Sequence, residues 1–252
     1  MNRFPFFIML LVMFSCGKQT QEPKNNSDQQ ATKQDLTPKI ELNKYDPIPV
    51  DSLLIHELSE KEITSTFTKK VKRELGIEYL VPQAYSYKDD SGEYYLILSQ
   101  HTLNDTIYDK IHALSLSYKN NQFKKKSTVK DLIDKEWETS IWFWNKYSEI
   151  SDLDHDGLID VILVYGTTGQ DMHTDGRVKI MIYHNKKRIT IRHQNSSYGG
   201  RLTKINSRFY ELPVQIQDLV KEKMKLMTKN QHAAFSEDWE KKMANKATRI
   251  ED

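Results

Sequence analysis

Asp152, Asp154, Asp156 and Asp160 fall in the run Asp152-Leu153-Asp154-His155-Asp156-Gly157-Leu158-Ile159-Asp160, which leads straight into the apolar segment Val161-Ile162-Leu163-Val164-Tyr165. Carboxylates at alternate positions and then a glycine suit a loop that wraps oxygen ligands around calcium, a hard cation that takes about six to eight of them. In this reading Asp152, Asp154 and Asp156 supply side chains, Leu158 its backbone carbonyl, and Asp160 a further carboxylate, directly or through water. Gly157 permits the sharp turn. Leu163 stands where an EF-hand would place its last ligand, so the loop is no EF-hand. The expected cofactor is calcium in a structural role, and an acidic turn without metal is the competing reading. His155 is expected to face solvent. Zinc draws no support from spacing, because no histidine has a His-x-x-x-His partner or a companion cysteine.

Three other groups of residues have chemical potential. Ser140-Ile141-Trp142-Phe143-Trp144-Asn145-Lys146-Tyr147 is dense in rings. Trp142 and Trp144 either join the core or present aromatic faces on which sugar rings stack. Arg192, His193 and Arg201 collect donors at a strand end and form a weaker ligand-binding candidate, with Arg177 a further candidate for the same side. Glu136, Glu138, Asp152 and Asp160 offer the carboxylates that a glycosidase pair would need. The chain has no G-x-S-x-G, no P-loop and no dinucleotide fingerprint, and no catalytic residue is assigned.

Residues 1–16 read as an export signal. Arg3 gives the positive start, Phe4 to Phe14 is an uncharged apolar run, and Ser15 precedes Cys16. The run is shorter than the roughly 20 residues that span a bilayer. Cys16 is the only cysteine of the chain, so it has no disulfide partner, and its position is that of an acylated lipoprotein cysteine. The chain is therefore expected to hang from a membrane by lipid, and Gly17 after the cysteine favours the outer membrane. Residues 17–49 are polar and poor in apolar side chains, as in a disordered tether. Residues 50–252 then form one domain. A net charge of +2, with basic residues dispersed among acidic ones, gives no sign of nucleic-acid binding.

The elements that must position these residues follow from periodicity. Asp51 to Leu75 has helical spacing, as one helix or two, with Gly76 as a stop. Ala84–Tyr87 and Tyr94–Leu98 flank Asp89-Asp90-Ser91-Gly92, a hairpin pattern. His112–Tyr118 with Gln122–Val129, and Arg177–Tyr183 with Arg188–His193, repeat it. Val161–Tyr165 reads as a buried central strand. Pro213 suits the first turn of a helix, and Ile216, Leu219, Val220, Met224 and Met227 form one apolar stripe. Ser236 is the expected N-cap of a last short helix. The expected fold class is α+β: an antiparallel β meander with helices at the N-terminal side and a C-terminal helical cap.

The Asp loop resembles that of FG-GAP and related extracellular β repeats, in which such a loop leads directly into a strand. Asp152 to Tyr165, the Ile141–Tyr147 run before it and Gly176-Arg177-Val178-Lys179-Ile180 after it also resemble a little-characterised group of bacterial lipoproteins, some labelled surface polysaccharide biosynthesis proteins. The likeness covers about Tyr85 to Trp239. Members often carry a cysteine pair around the loop, and this chain has none there. The resemblance implies the calcium loop and a link to surface glycan, but no reaction. The expectation is a non-enzymatic lipoprotein of the cell envelope that acts as a binding or accessory factor, with a surface glycan or envelope protein as partner. A glycan or peptidoglycan hydrolase and a purely structural lipoprotein are the alternatives.

Overall fold

The structure, a computed structural model, describes residues 43–44, 46–51, 54–104, 106–196 and 200–252. Cys16, the export signal and most of the expected tether lie outside them. A five-stranded antiparallel sheet comes first: β1 (Ile55–Glu57), β2 (Leu80–Asp89), β3 (Gly92–Thr102), β4 (Tyr108–Lys119) and β5 (Gln122–Leu132), each paired to the next. The β4–β5 hairpin turns through Asn120 and Asn121, both at positive φ, a conformation asparagine tolerates well. The segment from Asp51 expected to be helical opens instead with strand β1, and helix is confined to two short elements, α1 (Glu60–Thr66) and α2 (Lys69–Leu75). Ser59 and Glu62 form a capping box that opens α1, Thr68 caps α2, and Gly76 at φ +60° ends it.

The second sheet contains β6 (Glu138–Phe143), β7 (Glu149–Ser151), β8 (Asp160–Gly169), β9 (Arg177–His184), β10 (Lys187–Gln194), β11 (Leu202–Ile205) and β12 (Arg249–Glu251). Its order is β12-β11-β10-β9-β8-β6, with β7 also on β8, so β6 and β7 act as one interrupted edge strand. Two bonds hold the interruption to β8: Trp144 N donates to Val164 O at 2.8 Å, and Val164 N donates to Ser148 Oγ at 2.9 Å. Two helices follow β11, α3 (Val214–Lys229) and α4 (Trp239–Ala244). Ser236 does not cap α4; Asp238 holds the N-cap position, and the Ser236 hydroxyl bonds Asp238 at 3.1 Å.

The expected single meander is thus two antiparallel sheets in an α+β architecture. Three buried clusters define the layers. Phe67, Leu75, Ile97 and Leu114 join α1 and α2 to one face of the first sheet. Tyr85, Leu98, Ile111, Phe143, Leu163 and Met181 fill the space between the sheets. Ile162, Ile180, Ile191, Val220, Met224 and Trp239 join the far face of the second sheet to α3 and α4. Strand β8 is apolar at consecutive positions because both of its faces are covered. The body also starts before residue 50. Ile48 is buried in the inter-sheet cluster, and the Asp46 carbonyl accepts from Gln83 Nε2 at 2.9 Å and Asn145 Nδ2 at 2.6 Å. Ile48 is an apolar anchor in a polar stretch, so the expected tether ends short of it.

Candidate metal site and its surroundings

The Asp loop lies between β7 and β8 and is held by its own backbone. Asp152 accepts from Asp156 N and Gly157 N, both at 3.0 Å, and Asp156 accepts from Leu158 N at 2.9 Å. Gly157 sits at φ +84° and His155 at +63°, and His155 is exposed as expected. The carboxylates form two overlapping triads. One atom each of Asp152, Asp154 and Asp156 lies within 4.8 Å of the others, and the same holds for Asp154, Asp160 and His184. Each triad could hold a metal ion, and Asp154 belongs to both.

Asp154 is the residue that a metal-free loop explains least. Its side chain is 9% exposed, and its Oδ1 is buried with no hydrogen-bond partner among the described residues. A buried carboxylate oxygen without a partner is costly. Asp160 is fully buried and bonds His184 Nδ1 at 2.9 Å. Burial pushes the Asp160 carboxyl up to about 6; the nearby Asp154 charge adds to the rise, and His184 and Leu153 N work against it. A bound cation would reverse that balance.

Sequence spacing missed His184, which lies 24 residues beyond Asp160. The pairing of β8 with β9 sets Val161 opposite Tyr183, so the next pair outward is Asp160 and His184. The loop is also fastened to the first sheet. Ile159 N donates to Asp89 Oδ2 at 3.2 Å, and a side chain at Gly157 would meet Asp90 Oδ2 at 3.1 Å. The β2–β3 turn therefore leans directly on the acidic loop.

Trp142 and Trp144 do not form a sugar platform: they are 5% and 0% exposed. At β6 and β8 both faces of the second sheet are covered, so alternating rings at 141–144 are buried whichever way they point. Trp142 instead walls a cavity of about 510 Å³ with Lys44, Thr139, Thr168, His173 and His232. Lys44 Nζ lies 4.8 Å from the centroids of both the Tyr108 and Trp142 rings, a cation–π arrangement. The exposed tryptophan is Trp137, at 66%.

Arg192 and His193 line one shallow depression, but their side chains do not converge, and Arg201 is not part of its lining. Adjacent strand residues point to opposite faces. Arg192 is exposed on the inter-sheet side, while His193 is buried against Phe235 with ring centroids 4.3 Å apart. His193 also bonds Thr203 Oγ1 at 2.9 Å, and burial lowers its pKa to about 4. Arg201 is committed to the Asn195 carbonyl and Asp252. Of the four carboxylates considered for hydrolysis, Glu136 is exposed and the other three are engaged elsewhere. Glu138 bonds Arg177 Nε at 2.6 Å and Thr167 Oγ1 at 2.6 Å, and Asp152 and Asp160 belong to the loop. Comparison with protein-family models, characterised proteins and solved structures returns no match.

Proposed function

We propose that this chain is an envelope-anchored, non-enzymatic binding or accessory module whose fold is fastened by one structural calcium ion. The observation that carries the metal reading is Asp154, whose buried Oδ1 has no partner among the described residues and which stands at the corner shared by the Asp152–Asp154–Asp156 and Asp154–Asp160–His184 triads. Asp152, Asp154 and Asp156 would supply hard oxygen ligands, with the Leu158 carbonyl and Asp160 completing the set. Bound there, the ion would neutralise carboxylates that otherwise repel one another, and it would stiffen the loop on which the Asp89–Asp90 turn rests. The anchor rests on Cys16, and the link to surface glycan rests on the resemblance alone.

A second metal reading comes from His184. Two carboxylates and an imidazole suit a borderline cation such as zinc better than calcium. Thermal melts of the purified protein separate the two readings. Millimolar calcium should raise the melting temperature over chelator, and Asp154→Asn should abolish the rise. At 100-fold excess over Kd the gain is about 2.7 kcal/mol. A rise with zinc alone, lost in His184→Ala, selects the second reading. Identical melts in calcium, zinc and chelator, with no metal found in the purified protein, reduce the loop to an acidic turn.

A further inference from the structure

Four basic residues stand in one rung across four neighbouring strands. Lys179 on β9 is opposite Arg192 on β10, Arg192 is opposite Lys204 on β11, and Lys204 is opposite Arg249 on β12. Directly opposed residues of antiparallel strands project from the same face, and like charges so placed destabilise a sheet. The two ends of the rung have counter-charges: Lys179 meets Asp131 at 2.5 Å, and Arg249 pairs with Glu251. The middle pair, Arg192 and Lys204, is exposed and has no carboxylate partner among the described residues. The opposite face of the same strands is closed, because Ile191, Ile205 and Ile250 pack into the helical layer.

The first sheet does not cover this rung. Its edge strand β5 reaches only the near end, through Asp131 to Lys179 and through the Thr128 carbonyl, which accepts from Arg188 Nη1 at 3.1 Å. The rung therefore lies at the foot of a step about 10 Å high, the usual spacing of stacked sheets. Over three strand intervals it is roughly 14 Å long. A shallow depression of about 230 Å³ includes Lys179, Arg192 and Lys204 together with Arg177, Gln194 and Leu202.

We propose that this rung is the binding face for an extended acidic glycan, a chain carrying an anionic group at each repeat. An unopposed guanidinium and ammonium side by side recognise carboxylate, sulfate or phosphate ester through charge-assisted hydrogen bonds. A single polymer chain can lie along the foot of a step, whereas a planar bilayer cannot follow it. Among the described residues no exposed aromatic ring lines the depression, and the cations there recognise an anion by charge. The inference names a ligand class for the binding module proposed above and does not depend on the metal.

The test uses the purified protein, polygalacturonate, a sulfated glycan, a neutral glucan and anionic phospholipid vesicles, at low salt and in calcium. Wild type should bind the acidic glycans and not the neutral one, with affinity falling as salt screens the charges. Arg192→Gln/Lys204→Gln should weaken binding about tenfold or more. Because it removes a repulsion, the double variant should melt at or above the wild-type temperature. Unchanged glycan affinity in the double variant overturns the inference. So does equal binding of neutral glucan, or binding of vesicles without binding of acidic glycan. A protein whose calcium-dependent melt is present but which binds no polyanion loses the glycan face alone. A protein with no ligand and no metal effect loses the broader reading as well.

Discussion

Replacing Arg177 by methionine should cost this protein about 3 kcal/mol of stability at neutral pH. Arg177 binds Glu138 through Nε at 2.6 Å and Asp131 through Nη1 at 2.8 Å, and its Nη2 donates to the Leu132 carbonyl at 2.7 Å. It thereby joins β9 and β6 of one sheet to the end of β5 in the other. Burial would raise the Asp131 carboxyl, but the bonds from Arg177 and Lys179 prevail and hold it near 2. Breaking a buried ion pair from one side costs about 3–5 kcal/mol, and the 20% exposure of the Arg177 side chain places the figure at the low end. Asp131 keeps Lys179 and the Tyr165 hydroxyl, so the stranded charge is that of Glu138, whose side chain is 6% exposed. In the Arg177→Met background Glu138→Gln should therefore recover part of the loss, a clear departure from additivity. Urea unfolding followed by circular dichroism measures this, and a drop in melting temperature of about 6–12 °C should accompany the single change. A single variant within about 0.5 kcal/mol of wild type, or full additivity of the pair, would show that Arg177 does not hold the two sheets together in this way.

Two further outcomes are expected. A Cβ at Gly176 would lie 2.0 Å from the Thr167 carbonyl oxygen, so Gly176→Ala should cost more than about 3 kcal/mol or prevent folding; a melt near that of wild type contradicts the close approach. Burial lowers His112, His173 and His193 to about 4, so the unfolded chain takes up their protons first as pH falls. Stability in chelator should therefore fall between about pH 6.5 and pH 4, less steeply than three imidazoles alone would give because Asp160, raised to about 6, takes up its proton first in the folded chain, and a melting temperature flat across that window would contradict neutral burial of the three imidazoles.

Local chemistry was legible in the sequence where it depends on near neighbours. The loop spacing at Asp152–Asp160, the asparagine turn at Asn120–Asn121 and the stop at Gly76 all take the conformations their side chains allow. What covers each face was not legible. Alternation shows that Trp142 and Trp144 share a side, but only the stacking of a second sheet and a helical layer shows that no side there is free. The strands β11 and β12 are four and three residues long, too short to register as periodic runs. Register supplied the rest. His184 beside Asp160, and the rung from Lys179 to Arg249, follow from pairings between residues far apart in sequence.

Isothermal titration of calcium into chelator-stripped protein decides whether the Asp loop holds a metal. One ion per chain is expected, with no comparable heat for Asp154→Asn and an unchanged circular dichroism spectrum for that variant. Absence of a binding isotherm at millimolar calcium, or equal binding by Asp154→Asn, would contradict a calcium site in the loop.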